Sequence, residues 1–299
     1  MKKQIKSSLI LLLTATIWGV AFVAQSVGME YIGPFTFNAI RCVLGGLVLI
    51  PVILVLKKKK ETGAENQEKE DKKTLWAGGI ACGVILCIAS NLQQFGIMEA
   101  SVGKSGFFTA LYIVMIPVIG IFIGKRPGIK LWFCVALAVV GMYLLCMKDG
   151  SFTIERADIM LLLCALAFSF HILVVDYFSP KVDGVKMSCI QFFVCGVLSA
   201  VGMLFTETPD ISNIQAAWLP LLYAGLLSCG VGYTLQIVGQ KGINPVIASL
   251  IMSLESVISA LAGWVILGQV LSPKEILGCV LMFVAIIITQ IPIGNKKTD

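Results

Sequence analysis

Ten apolar runs, each long enough to approach the thickness of a lipid bilayer, constrain this 299-residue chain more than any other feature. They fall at residues 7–27, 34–56, 75–95, 105–123, 131–147, 159–175, 187–205, 216–238, 245–267 and 276–291. A spanning helix needs about 20 mostly apolar residues. So many runs cannot share one water-surrounded core. Charged residues make up only 13% of the chain, against roughly a quarter in soluble domains, so a soluble enzyme of ordinary domains is disfavoured. Ten-residue segments of alternating polarity, the mark of an outer-membrane barrel, do not occur. Helices satisfy their own backbone hydrogen bonds in lipid. The expectation is an all-α integral membrane protein with ten transmembrane helices.

The basic start (Lys2, Lys3, Lys6) before an apolar run has the outline of a secretory signal. The run continues unbroken to Val27, however, beyond the roughly 7–15 residues of a signal core, and it has a counterpart later in the chain. It reads as a first span.

Lysine and arginine positions orient the bundle. With ten spans and the N-terminus inside, 18 of the 23 basic residues fall in cytoplasmic segments and four (Lys104, Lys148, Arg156, Lys274) outside, while Arg41 lies within a span. Such a bias is a positive-inside signal that places both termini in the cytoplasm. It also accounts for the net charge of +6 without nucleic acid, because basic loops sit against an anionic leaflet of membrane lipid. The one long polar stretch, residues 57–74, is Lys-rich and then Glu-rich, and reads as a solvated cytoplasmic loop.

The chain also repeats itself. The stretch from Leu12 to Gly19 resembles that from Leu162 to Ser169, at an offset of 150. Farther on, Phe122-Ile123-Gly124-Lys125 resembles Ile266-Leu267-Gly268-Gln269, and Leu131-Trp132-Phe133-Cys134-Val135 resembles Ile276-Leu277-Gly278-Cys279-Val280. Order and spacing together predict a duplication, residues 1–150 and 151–299, with five spans in each half. Five is odd, so the second half enters the membrane from the opposite side. Inverted repeats are a common architecture of secondary transporters, with the solute site near the midplane between the halves.

These residues resemble the drug/metabolite transporter superfamily, specifically the EamA-type ten-helix carriers. The resemblance covers about residues 7–292. It is carried by Trp18-Gly19-x-x-Phe22, Arg41, Thr109-Ala110-Leu111 before Pro117-Val118, Leu254-Glu255-Ser256-Val257, and the glycine-ended runs at Gly124 and Gly268. It implies a small-metabolite or amino-acid carrier with a central cavity, often an exporter. Three places depart from the family pattern. Lys125 and Gln269 stand where Glu often follows the glycines, and Ser256 stands where Pro often follows the acid. Smaller relatives couple protons through a Glu in their first helix, whereas residues 7–27 contain no acid, so that mechanism does not carry over.

Only Arg41 and Glu255 are formally charged within the spans. Such residues usually face a bundle interior or watered cavity and mark function. Glu255 reads as a partner for a solute amine or as a proton-coupling acid, with a structural salt bridge or a neutral hydrogen-bonded Glu as the alternative. Arg41 would snorkel outward or bond helix ends, or else meet a solute carboxylate. A direct Arg41–Glu255 pair stays open. His171, the only histidine, is a relay or binding residue or a hydrogen-bonded core residue.

Asn91 and Gln94 are spaced i, i+3, and Tyr233, Gln236 and Gln240 i, i+3, i+7, which gives each set one helix face. These amides suit a hydrated cavity that binds a zwitterion. The Ser249, Ser253, Ser256 stripe reads as close helix packing through small residues. Trp18 and Tyr112 would wall a pocket or pack in the core. Pro117 is the hinge candidate, while Pro245 suits a first helical turn.

The ten cysteines all lie within spans without a Cys-x-x-Cys and read as small apolar residues rather than as disulfides or a metal site. No Walker loop, His-Glu-x-x-His or dinucleotide fingerprint occurs, so ATP-driven transport is disfavoured and no cofactor is expected. The sequence points to a plasma-membrane carrier of a small organic solute, an amino acid or related metabolite, working by alternating access, with protons as a coupling candidate. A membrane-embedded enzyme and a structural membrane protein are the rival classes.

Overall fold

The computed structural model describes residues 2–62, 71–100, 102–124, 127–146, 155–268 and 272–291. Lys125, Gln269 and residues 63–70 of the expected 57–74 loop lie outside the described residues, while residues 57–62 and 72–74 are helical, so the helices on either side run farther into that stretch than the apolar pattern implies. Fourteen α-helices and one π-helical segment make up the regular structure, and no strand occurs among the described residues. The first half holds α1 (Lys2–Gly28), α2 (Pro34–Thr62), α3 (Lys72–Glu99), α4 (Val102–Ala110), α5 (Tyr112–Phe122) and α6 (Ile129–Cys146). The second holds α7 (Arg156–Phe178), α8 (Gly184–Thr206), α9 (Ile211–Ala216), α10 (Trp218–Leu222), the π segment Tyr223–Tyr233, α11 (Thr234–Gln240), α12 (Pro245–Met252), α13 (Glu255–Leu267) and α14 (Pro273–Gln290).

Among the described residues, eight helical stretches are long and apolar enough to cross a membrane, and Ile129–Leu144 is a shorter apolar helix. The tenth apolar run forms α14, which packs along α6. The helices pack in pairs: α2 on α8, α3 on α7 and α8, and α1 on α13. Side chains on the outer faces stay apolar and exposed, as Leu13, Leu54, Phe133 and Val197 do, the pattern expected where lipid replaces water. Close approach needs missing side chains. A Cβ on Gly19 would lie 2.4 Å from Ile258 Cβ and 2.9 Å from the Glu255 carbonyl, so glycine is what lets α1 reach α13.

Local signals set the helix ends. Pro245 opens α12 in its first turn behind Asn244, whose side chain accepts from Val246 N at 2.9 Å. Gly268, at φ 68°, closes α13 in the left-handed conformation. Ser272 and Glu275 form a reciprocal capping box at the start of α14. Two polar ties fasten different helices to each other. Glu207, the C-cap of α8, accepts from Phe35 N and Thr36 N at 2.8 Å each and from Thr36 Oγ1 at 2.6 Å, capping α2 from across the bundle. Lys104 of α4 bridges Glu155 (2.8 Å) and Asp158 (3.0 Å) at the start of α7.

The fourth and ninth apolar runs are each broken at mid-length. The first breaks at Leu111 between α4 and α5, the second at Ser253 and Leu254 between α12 and α13. At these residues ψ lies between −9° and −14°, which tightens the turn to i→i+3 bonds. Leu111 N bonds Phe108 O at 3.2 Å, and Leu254 N bonds Ile251 O at 3.2 Å. The hydroxyls of Ser249, Ser253, Ser256 and Ser259 each donate to the carbonyl three residues back, a local bond that competes with regular helix and bends it. Ser256 and Ser259 also receive Gly106 of α4 at close range. The serine stripe therefore serves packing and helix bending.

Candidate functional site

The two breaks face one another in the middle of the bundle. Tyr112, the first residue of α5, donates its hydroxyl to Glu255 Oε1 at 3.0 Å, and Glu255 is the first residue of α13. Both line a buried cavity together with Trp18, Ala21, Phe22 and Gln25 of α1, Arg41 of α2 and Gln93 of α3. Thr109 of α4, Phe168 and Ile172 of α7, Ser228 and Tyr233 of the π segment, and Gln236 of α11 complete the wall.

The in-span charges both enter this cavity. Arg41 is 2% exposed and Glu255 4%. Arg41 does not snorkel: its Nη1 donates to Gln25 Oε1 at 2.7 Å, its guanidinium lies 5.6 Å from the Phe37 ring centroid, and its Nε has no protein partner. No ion pair joins Arg41 to Glu255 among the described residues. A buried charge needs hydrogen-bond partners to offset its lost hydration, and here each takes a neutral one, Gln25 or Tyr112. Both charges therefore keep capacity for a further partner.

One wall is aromatic. The Trp18 and Tyr233 ring centroids lie 4.6 Å apart, and Trp18 Nε1 donates to the Ser228 carbonyl at 3.4 Å. The π geometry of Tyr223–Tyr233 aims both Ser228 and Tyr233 at α1; such segments are rare and recur at functional sites. The cavity encloses about 30 Å³, the space of a water or so. Admission of an amino-acid-sized solute thus requires the walls to part.

Of the residues singled out from sequence, Trp18, Arg41, Tyr112, Tyr233, Gln236 and Glu255 meet at this cavity, and the rest lie outside its lining. Asn91 joins α2, α3 and α8. Its Oδ1 accepts from Asn38 Nδ2 at 2.9 Å, and its Nδ2 donates to Ser199 Oγ at 3.0 Å and Cys87 O at 2.8 Å. Gln94 Nε2 points at Met29 Sδ, 3.6 Å away. His171 sits behind Tyr233, with ring centroids 6.0 Å apart, and its Nε2 shares a 3.1 Å hydrogen bond with Gln191 Oε1. Pro117 lines a second cavity toward the other end of α5. Gln240 bonds Gln236 Nε2 at 3.2 Å and donates to the Ile172 carbonyl at 2.9 Å, bracing the wall from behind. The described cysteines are free thiols, and no cluster suited to a metal ion occurs among the described residues.

Sequence reasoning missed Gln25, Gln93, Thr109, Phe168 and Ser228. Two signals were present. Gln25 stands seven residues after Trp18, on the same face of α1, and Phe168 is the position matching Trp18 in the repeat.

Comparison with known proteins agrees with this architecture. The model of the EamA-like transporter family matches the chain twice, at residues 5–147 and 155–291. An uncharacterized transporter of Archaeoglobus fulgidus is 27% identical over 97% of this chain and 87% of its own. The uncharacterized transporter YwfM of Bacillus subtilis is 24% identical over 97% and 96% of the two chains. A solved crystal structure superposes with a TM-score of 0.76 over 95% of this chain and 96% of that one, at 18% identity, a likeness of fold alone.

Proposed function

The chain belongs to the EamA-like transporter family and is a multi-pass membrane transporter, and from that premise we propose that it carries a small zwitterionic solute, an amino acid or close relative, by alternating access. The observation that carries the reading is the pair of in-span charges, opposite in sign, lining one buried cavity without pairing to each other. A solute carboxylate would meet the Arg41 guanidinium, whose planar fork suits it, and a solute amine would meet Glu255. The rings of Trp18, Tyr233 and Phe168 would cover the apolar part, and Gln25, Gln93 and Gln236 would supply neutral hydrogen bonds. Asn91, Gln94 and His171, outside the lining, would support the wall or its hydration. Pro117 is retained as a hinge candidate below the break.

In this reading residues 1–150 and 151–299 are the two inverted repeats, both termini face the cytoplasm, and the membrane is the plasma membrane. Export is favoured by family likeness, and Glu255 is the candidate for proton coupling. The test is counterflow in proteoliposomes of the purified chain, preceded by a thermal-shift screen of a metabolite library, since a bound solute stabilises the folded state by linkage. Solutes with both charged groups should raise Tm and show counterflow. Stabilisation only by solutes lacking an amine or a carboxylate would refute the zwitterion assignment, and turnover of a lipid without counterflow would favour a membrane enzyme.

A further inference from the structure

We propose that the cavity between Pro117 and Pro245 is the cytoplasmic vestibule of the solute path, and that the apolar cluster around Val23 and Val102 is the closed outer gate; this rests on the carrier reading above. The vestibule has a volume of about 110 Å³, larger than the central cavity at about 30 Å³. It is lined by Ile116, Pro117 and Gly120 of α5, Pro127 just before α6, Leu173 of α7, and Asn244, Pro245 and Val246 at the start of α12.

The two cavities share helices. Tyr112 lines the central one, and Ile116, one turn along α5, lines the vestibule. On α7, Ile172 lines the central cavity and the adjacent Leu173 the vestibule. The partition is therefore about one helical turn thick, roughly 5.4 Å, and its core is buried aliphatic side chain: Ile113, Ile116 and Ile172. A partition that thin opens by a small movement of α5 against α7, and the break at Leu111 stands at its edge.

The duplication gives a reference for the other side. Val23 stands where Leu173 stands in the second repeat, at the 150-residue offset of the Trp18 and Phe168 match. Phe22 corresponds in the same way to Ile172. Val102 lies nine residues before the break at Leu111, as Pro245 lies nine before Leu254. Phe22 and Ile172 both line the central cavity. Beyond them the halves differ. The half-buried Leu173 and the buried Pro245 line the cavity of about 110 Å³ beside the exposed Asn244, whereas Val23 and Val102 pack with Phe22, Ile97 and Ala262, none more than 7% exposed. Two copies of one design in opposite conformations, open on one side and shut on the other, are what alternating access by inverted repeats requires. The positive-inside bias puts the open side in the cytoplasm: Lys130 and Lys241 lie a few residues from the vestibule's Pro127 and Asn244. The lining carries no charge, and the Asn244 side-chain oxygen is engaged by Val246 N. The vestibule thus passes the solute and does not retain it.

The test uses the full-length chain with single substitutions Asn244→Cys and Leu173→Cys, at the exposed and half-buried positions of the vestibule lining, and Val23→Cys and Val102→Cys in the outer cluster. A membrane-impermeant maleimide is applied to inside-out and right-side-out vesicles, with the unsubstituted chain as background for its native thiols. The vestibule cysteines should label from the cytoplasmic side about tenfold faster than the outer cysteines label from either side, as a resting population favouring this state by ten to one requires. Equal labelling of the outer cluster, or labelling of the vestibule from outside, would overturn the proposal. Two variants per side guard against one failing to fold. Labelling does not depend on transport, so sided reactivity in a chain that shows counterflow of no solute would sink the carrier reading and leave only a cavity facing the cytoplasm, whereas counterflow without sided reactivity would sink the vestibule alone.

Discussion

At the scale of single residues, Arg41 and Glu255 separate what a charged side chain costs from what it does. Each is buried and each rests on one neutral partner, which in the proposed reading leaves each available to a solute. Replacing Glu255 by Gln keeps the shape and removes the charge. The loss of a charge-assisted bond, about 1.5–3 kcal/mol, should weaken stabilisation by amino acids about tenfold or more. Stabilisation by analogues lacking the amine should be unchanged, as thermal shift across the two solute sets would show. Arg41→Gln should do the reverse, weakening amino acids and amine-free acids alike. Proton-coupled uptake whose pH dependence survives Glu255→Gln would remove the coupling role. Asn91 predicts a contrast. Asn91→Leu leaves Asn38 Nδ2 without its partner and removes one of two bonds to Ser199 Oγ, at a cost of about 1–3 kcal/mol. Tm should fall while solute affinity holds, because Asn91 is not in the lining. These assignments were partly legible in advance. That the charges matter follows from their expense in lipid. That Asn91 and His171 look elsewhere depends on which helix faces meet, and helical spacing fixes only which residues share a face.

At the scale of the helix, the decisive features are the breaks at Leu111 and Ser253–Leu254. Neither carries a proline or glycine, so no breaker marks them in the sequence; Pro117, the visible candidate, lies six residues beyond Leu111, within α5. The break at Ser253–Leu254 coincides with serine hydroxyls bonding back to carbonyls, and both breaks flank the apposition of Tyr112 and Glu255. Close crossings give a sharper test. Gly19→Ala would place a Cβ against Ile258 and the Glu255 carbonyl, and overpacking of this kind costs about 1–3 kcal/mol. Since α13 carries Glu255, the variant should lose both thermal stability and solute affinity. Glu207→Ala removes the acceptors for Phe35 N, Thr36 N and Thr36 Oγ1, and loss of such a cap typically costs about 1 kcal/mol. Its effect should appear as a lower Tm and as faster hydrogen exchange at the first turn of α2, with solute affinity intact.

At the scale of the molecule, the pairing of α2 with α8 and of α3 with α7 and α8 crosses from one half of the chain to the other. The cavity follows that pattern, drawing its wall from both halves. Neither half alone should bind a solute, and co-expression of residues 1–150 with 151–299 should restore thermal stabilisation that each fragment lacks. Orientation belongs to this scale as well. If the lysine bias places both ends in the cytoplasm, a protease-sensitive tag at either terminus is cleaved in inside-out vesicles and protected in right-side-out ones, and cleavage of one tag on each side would overturn the even span count.

The sequence by itself determined that this chain lives in a membrane as a bundle of helices, because the penalty for charge and unbonded backbone in lipid acts on every residue and leaves long apolar runs that can be read directly. It also marked the two charges and the internal resemblance of the halves. Only the tertiary structure decided that Arg41 and Glu255 share a cavity without pairing, that Gln25 and Tyr112 are their partners, and that the fourth and ninth runs break where they do. The physical reason is one of range. Burial in lipid is a property of each segment, whereas lining and partner choice depend on which helix faces are brought together, and packing between helices settles that, as where Tyr112 meets Glu255, 143 positions along the chain.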